Sequence, residues 1–200
     1  MSISGVSDNK IHDLSSLLSA QDMSKLPPVE MWDPPYRGDI GMAIKPDGSW
    51  TYQGSSINRP AIVRLFARVL RRDADGGHYL VTPAERVDVA VGDAPFISGE
   101  MEVLGAGRNQ QLVFRTNVDD IIHCGKDHPL RFKVEAGSGG LKPYLLVRGR
   151  LEALVTRALY YDLVELALSA KERPEGVAQD NLGIWSGGQF FELITEDKRT

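Results

Sequence analysis

The sequence predicts an α+β fold in which two similar halves each contribute a strand, a helix and a hairpin, with antiparallel sheets. Several short segments alternate apolar and polar residues with period two, which is typical of half-buried strands. Two other segments carry apolar residues at helical spacing. Tyr144 lies 94 residues after Trp50, and Leu151 lies 94 residues after Ile57. This common shift predicts a duplicated small domain, the alternative being a chance similarity of two amphipathic helices that follow aromatic strands.

The first half begins after an N-terminal extension. Residues 8–18 have helical spacing with Asp8 as the N-cap, and four prolines between positions 27 and 35 predict an extended surface segment. Residues 39–53 predict a β-hairpin, because Lys45-Pro46-Asp47-Gly48 suits a type I turn. A helix follows, with Pro60 in its first turn and basic residues up to position 72 near its C-terminal end.

The rest of the chain is mostly strand. We predict strands at 78–81, 86–91, 96–104, 111–116, 130–136 and 144–147. A helix is predicted over 151–170, and a last hairpin turns at Ser186-Gly187-Gly188. The predicted division is an N-terminal extension (1–37), a first α+β domain (38–104) and a second α+β domain (105–200).

Composition excludes several classes of protein. The 200 residues are 42% hydrophobic and carry a net charge of −4, which disfavours binding to a nucleic-acid polymer. No apolar run reaches the length of a membrane-spanning helix, and the N-terminus has no secretory signal pattern. One cysteine, Cys124, excludes an internal disulfide. We therefore expect a soluble cytoplasmic protein, of an oligomeric state that the sequence leaves open.

One cluster resembles metal ligands. His123, Asp127 and His128 surround Cys124, but their spacing fits no standard zinc arrangement, and we interpret them as a polar turn between strands. A metal-assisted hydrolase that uses the two histidines and Asp127 is the alternative. Cys124 is interpreted as a buried thiol, and Gly105-Ala106-Gly107 as a hairpin turn and not as part of a dinucleotide fingerprint.

Arginines favour a different chemistry. Several lie at or near the ends of predicted strands and helices, where a guanidinium can grip a phosphate or a carboxylate. They are Arg59, Arg115, Arg131, Arg148, Arg150 and Arg157. Each alone is most simply a solvated or paired side chain, but as a group they favour an anionic ligand.

Five segments together carry a resemblance to a known family. They are Asp47-Gly48-Ser49-Trp50-x-Tyr52-x-Gly54-Ser55-x-Ile57-x-Arg59, Leu65-Phe66-Ala67-Arg68-Val69-Leu70, Tyr79-Leu80-Val81-Thr82-Pro83-Ala84-Glu85, Asp93-Ala94-Pro95-Phe96 and His128-Pro129-Leu130-Arg131. Over roughly residues 30–195 the chain resembles the bacterial domain of unknown function family 1285, with Ser56 where a proline is expected. The resemblance implies a duplicated α+β core, a C-terminal half superficially like pleckstrin-homology domains, a binding site at the domain interface, and a link to signal transduction. It brings no catalytic residues.

These observations lead to one functional hypothesis. We expect a regulatory protein that binds a nucleotide-like or anionic small molecule, with no cofactor, no resident metal and no assigned catalytic residue. The predicted ligand-binding residues are Trp50, Tyr52, Arg59, Asn117, His128 and Arg131. Aromatic rings beside arginines suit a base and its phosphate, although the same rings would also suit a core. A protein-interaction module is the remaining alternative.

Overall fold

The computed structural model describes residues 25–178 and 180–193, and within them the chain forms two compact units. Of the described residues, the first unit contains 25–45 and 49–91, and the second contains 46–48, 92–178 and 180–193. The predicted N-terminal helix over 8–18 lies outside the described residues. Both units are built mainly from short strands with one α-helix each, which confirms an α+β protein.

The first unit contains two small sheets. One has the strand order β3-β2-β1-β7 and the other the order β4-β5-β6. Their strands are β1 (Met42–Ile44), β2 (Trp50–Tyr52), β3 (Ser55–Ser56), β4 (Leu70–Arg72), β5 (His78–Val81), β6 (Arg86–Asp88) and β7 (Ala90–Val91). Strands β1 and β2 form the predicted hairpin, in which Ile44 pairs with Trp50.

The helix of the first unit is shorter than predicted. Helix α1 (Pro60–Arg68) has Pro60 in its first turn, as expected, and buries Leu65, Phe66 and Ala67. It does not continue to position 72, because Leu70 pairs with Leu80 in the β4–β5 ladder. Helical spacing alone predicted the longer helix, and the pairing with β5 overrides it.

The second unit is built on a curled six-stranded sheet. Its strand order is β10-β9-β8-β13-β12-β11, and a separate hairpin follows it. The strands are β8 (Phe96–Leu104), β9 (Gln111–Thr116), β10 (Ile121–His123), β11 (Leu130–Val134), β12 (Leu141–Arg148), β13 (Leu151–Val155), β14 (Gly183–Ser186) and β15 (Gln189–Glu192). Strand β8, which the sequence analysis placed in the first domain, belongs by its contacts to the second unit.

Two features of the predicted architecture need correction. Residues 151–155 form strand β13, and helix α2 (Arg157–Ser169) begins only after Thr156. Ile57 precedes α1 and Leu151 lies in a strand, so the two helix starts that the 94-residue shift aligned are not helix starts, and the duplication is not confirmed. Nor is the likeness to pleckstrin-homology domains. The sheets are also not purely antiparallel, since β1 pairs with β7 and β8 pairs with β13 in parallel.

The core of the second unit lies between the sheet and α2. Phe96, Phe114, Leu145 and Leu163 are almost fully buried there. Within the described residues, neither helix has the length and apolar character that crossing a lipid bilayer requires.

Candidate functional site

The second unit contains a cavity of about 530 Å³ between two turns. One turn is a short 3₁₀ segment, Gly107–Asn109, and the other joins β14 to β15. Glycines at 107, 187 and 188 have positive φ angles of 59°, 56° and 73°, a backbone region that favours glycine. The cavity is lined by Ala106, Gly107, Arg108, Asn109, Glu172, Trp185 and Gly188.

Gln110 fixes the two turns against each other. Its backbone oxygen accepts a hydrogen bond from the Gly187 N–H at 3.1 Å, and its side-chain Nε2 donates to the Trp185 carbonyl at 2.6 Å. Gln110 is itself buried. The cavity therefore has a hydrogen-bonded base that does not depend on the exposed side chains at its rim.

Arg108 is the cationic group of the cavity. Its guanidinium lies over the Trp185 ring, with Cζ 4.9 Å from the ring centroid. Its Nε is 3.9 Å from a carboxylate oxygen of Glu172, and the two side chains are 59% and 64% exposed. An ion pair that is long and solvated contributes little to stability. A bound anion can therefore replace Glu172 as the partner of Arg108 at small cost.

Trp185 forms the buried wall of the cavity. It is 4% exposed, its Nε1 donates to the Glu172 carbonyl at 3.0 Å, and its ring packs against Phe190 with centroids 5.1 Å apart. The indole N–H is thus already bonded. Since the ring itself is almost fully buried, what the indole contributes to a ligand is the position of the cation stacked on it.

The predicted residue Arg131 belongs to another polar cluster of the second unit. Its Nε and Nη2 donate to the two carboxylate oxygens of Glu152 at 2.5 and 2.7 Å, and its guanidinium lies 4.5 Å from the Tyr144 ring centroid. Asp93 accepts hydrogen bonds from the Tyr144 hydroxyl at 2.7 Å and from Lys142 at 3.0 Å. Burial, and then the bond to Asp93, raise the pKa of Tyr144 to about 12. These charges are paired within the sheet.

Asn117 and His128, two more predicted site residues, make local hydrogen bonds. The Asn117 Oδ1 accepts from the Ile97 N–H at 3.0 Å, and its Nδ2 donates to the Gly48 carbonyl at 3.4 Å. The His128 Nδ1 lies 3.1 Å from the Leu146 carbonyl. Neither residue lines the cavity at Arg108.

The three predicted residues of the first unit lie in different environments. Trp50 is 1% exposed and packs on Phe66, with ring centroids 6.2 Å apart, and Tyr52 is 6% exposed. Arg59 is an exposed residue at the N-cap of α1. The role of all six predicted residues in ligand binding stays a prediction.

The histidine cluster gives no metal centre in the described part of the chain. His123 and Asp127 are exposed, and no three His, Cys, Asp or Glu side chains between residues 25 and 193, apart from the undescribed position 179, group as ligands for an ion. The metal-assisted hydrolase therefore gains no support from this cluster.

Cys124 is fully buried, as predicted. Burial raises the pKa of its thiol to about 12, whereas an unfolded cysteine has a pKa of about 8.5. We expect an aromatic disulfide reagent at pH 7.5 to modify the folded protein about 10³-fold more slowly than the urea-unfolded protein. Fast labelling of folded protein would contradict the burial.

The same shift predicts a loss of stability at alkaline pH. The unfolded thiol ionises from about pH 8.5, whereas the folded thiol stays protonated until about pH 12. The free energy by which the buried neutral thiol favours the folded state is therefore fully present below pH 8.5. It is lost as the pH rises from about 8.5 to about 12. Cys124→Ala should have a flatter pH dependence of unfolding than the wild type, which urea titrations at several pH values would measure.

Sequence reasoning did not select Arg108 or Trp185. It identified Gly105-Ala106-Gly107 correctly as a turn and Ser186-Gly187-Gly188 correctly as another, but treated both as simple connections. The available signal was a tryptophan beside one glycine turn and an arginine within the other. Only the fold shows that the two turns meet.

The chain matches both domains of one protein family. Residues 27–94 match the N-terminal domain, and residues 95–193 the C-terminal domain, of a family described as proteins of unknown function, DUF1285. The chain belongs to the DUF1285 family. This confirms the resemblance seen in the sequence.

Solved structures of other DUF1285 proteins are similar to the chain. A protein from Silicibacter pomeroyi DSS-3 is 42% identical, with a TM-score of 0.79 over 92% of this chain and 96% of that chain. A protein from Shewanella baltica OS155 is 27% identical, with a TM-score of 0.48 over 62% of this chain and 91% of that chain. No protein with a curated description matches.

Proposed function

We propose that this DUF1285 protein binds a small anionic, nucleotide-like molecule and that its role is regulatory. The observation that carries the proposal is the stacking of Arg108 on Trp185 inside a cavity of about 530 Å³. Cavities of roughly 300–1,000 Å³ are the size that small-molecule sites occupy.

The chemistry of the cavity favours a ligand with an acidic group and polar edges. Arg108 presents a guanidinium fork, which matches a phosphate or a carboxylate in a bidentate geometry. Asn109 and Glu172 line the same cavity and supply polar groups for the ring edge or a sugar hydroxyl. Because the ion pair of Arg108 with Glu172 spans 3.9 Å, little is lost when the ligand replaces it.

A titration with matched arginine variants tests the proposal. A thermal-shift screen of nucleotides and anionic metabolites should give a compound that raises the melting temperature. Calorimetry should then show that this compound binds Arg108→Ala about 10- to 100-fold more weakly than the wild type, because the variant loses one or two charged hydrogen bonds to the ligand.

Arg115→Ala is the matched control. Arg115 is 53% exposed and forms a 3.5 Å ion pair with Glu100 on the same unit, so its loss removes an equivalent surface charge away from the cavity. Equal weakening by both variants would indicate a general charge effect and contradict the site. A screen without any stabilising compound would contradict the proposed function itself.

A further inference from the structure

The cavity of the second unit contains opposite charges. Arg108 and Glu172 are the charged residues that line it, and the neutral ones are Ala106, Gly107, Asn109, Trp185 and Gly188. Within the described part of the chain, the lining therefore has no net charge. A site for polyphosphates needs a surplus of positive charge, since each phosphate brings more negative charge into the cavity. The balance of charges favours a ligand with a single acidic group.

Arg108 is placed to receive that acidic group. Its stacking on the Trp185 ring, with Cζ 4.9 Å from the ring centroid, sets the position of the guanidinium. The 3.9 Å between its Nε and the Glu172 carboxylate is too long for a hydrogen bond. Glu172 thus leaves the donors of the guanidinium to a ligand.

The backbone of Glu172 is held beside the cavity. Its carbonyl accepts a hydrogen bond from Trp185 Nε1 at 3.0 Å and another from Arg173 Nη1 at 3.2 Å. Arg173 also donates to the Ala170 carbonyl at 2.6 Å and to the Asn181 carbonyl at 2.8 Å. These bonds fix the segment that follows α2. The Glu172 side chain can therefore rotate, but its carboxylate stays close to whatever the cavity binds.

A carboxylate held in this way has two effects on a bound anion. It accepts a hydrogen bond from a hydroxyl or amino group of the ligand, and it repels any further negative charge. Because the Glu172 side chain is 64% exposed, salt screens the repulsion. Binding sites commonly obtain their specificity from such a repulsive group combined with an attractive one. Here the attractive group is Arg108.

We propose that Glu172 is a specificity-determining residue, which makes the cavity select a ligand with one acidic group and reject polyphosphates. Arg108 binds the acidic group, and Glu172 accepts a hydrogen bond from a hydroxyl or amino group of the same ligand. A nucleoside monophosphate has both features, whereas its triphosphate adds charge that Glu172 repels. This inference rests on the proposed function, because it assigns Arg108 to the acidic group.

Calorimetry on the full chain, with ribonucleoside monophosphates and their triphosphates in buffer without magnesium, tests the selectivity. We expect at least one monophosphate to bind the wild type about tenfold more tightly than its triphosphate does. Glu172→Gln keeps the shape and the hydrogen-bonding groups of the side chain but removes its charge. The ratio of the two dissociation constants should therefore shrink about three- to tenfold in this variant. In the wild type, about 0.5 M salt should shrink the same ratio, since the repulsion is screened.

Glu100→Gln is the matched control. The Glu100 side chain is 73% exposed and pairs with Arg115 at 3.5 Å on the same unit, so its substitution removes an equal charge away from the cavity. This variant should keep the wild-type ratio. An equal change of the ratio in Glu100→Gln and Glu172→Gln would assign the selectivity to the overall charge of the protein and overturn the proposal.

The other outcomes separate this inference from the proposed function. Equal affinity of the wild type for a monophosphate and its triphosphate, or an unchanged ratio in Glu172→Gln, would overturn the selectivity. If Arg108→Ala still weakens binding in that case, the ligand site stands and only the role of Glu172 fails. If no nucleotide binds at millimolar concentration, this inference fails, and the proposed function fails with it only when the anionic metabolites also give no stabilisation.

Discussion

Replacing Ser186 with alanine should lower the free energy of unfolding of the second unit by about 2–4 kcal/mol, although only one oxygen atom is removed. The Ser186 side chain is fully buried, and its Oγ donates to the Cys124 carbonyl at 2.7 Å. The same oxygen accepts from the Leu112 N–H at 2.9 Å and from Gln111 Nε2 at 3.3 Å. Alanine leaves the Leu112 donor without this acceptor in a site that excludes water.

Ser169 provides the matched control for this prediction. It lies exposed at the end of α2, and its Oγ donates to the Leu166 carbonyl of the same helix. Ser169→Ala should change the unfolding free energy by only about 0.5 kcal/mol, because water replaces the lost bond. Urea titrations with an unchanged m value would measure both variants. Equal effects of the two substitutions would show that the Ser186 network does not hold the hairpin in place.

Strands with one buried face could be predicted from the sequence. The predicted ranges 96–104 and 111–116 are the observed bounds of β8 and β9. Alternate residues are buried along most of β9 and in the first part of β8, so the sequence pattern marks both strands. The hairpin at Ser186-Gly187-Gly188 was also predicted, since glycines with positive φ leave a strong local signal. In these places the local pattern and the final pairing agree.

The boundaries of both helices could not be predicted from local pattern alone. Residues 151–155 are apolar except for Glu152, so they suit a helix or a strand equally. Pairing with β12 on one side and with β8 on the other makes them a strand. Arg71 was predicted as one of the basic residues near the end of the helix, but it lies in β4, where a carboxylate and two carbonyls surround it. Such long-range partners leave no periodic signal.

The candidate site depends on contacts of the same long-range kind. Arg108 and Trp185 belong to turns far apart in the sequence, and the hydrogen bonds of Gln110 and Ser186 bring those turns together. Arg131 lies against the Tyr144 ring and is paired with Glu152, whereas Arg108 lies against Trp185 with only a long ion pair to Glu172. Which arginine stays available to a ligand depends on carboxylates that the sequence does not place.

Trp50 allows a direct test between a core residue and a ligand platform. It is 1% exposed in β2, and its Nε1 is buried without a hydrogen-bond partner among the described residues. Trp50→Ala should therefore lower the free energy of unfolding by about 3–5 kcal/mol, as truncation of a large buried ring does. Trp50→Phe should cost only about 1 kcal/mol, because it keeps a packed ring and removes an indole N–H that lacks an acceptor.

The pair of Trp50 variants, measured by urea unfolding and by ligand titration, separates the two roles. If Trp50 is a core residue, the free energy of unfolding rises from Trp50→Ala to Trp50→Phe to the wild type, and Trp50→Phe binds the ligand as tightly as the wild type does. If Trp50 is a ligand platform, the substitutions weaken ligand binding and change the free energy of unfolding little. Phenylalanine then binds the ligand less well, since it offers a smaller ring surface and a weaker cation–π partner than tryptophan. If Trp50→Ala unfolds within about 1 kcal/mol of the wild type, the packing of Trp50 on Phe66 does not stabilise the first unit, and the platform role gains support.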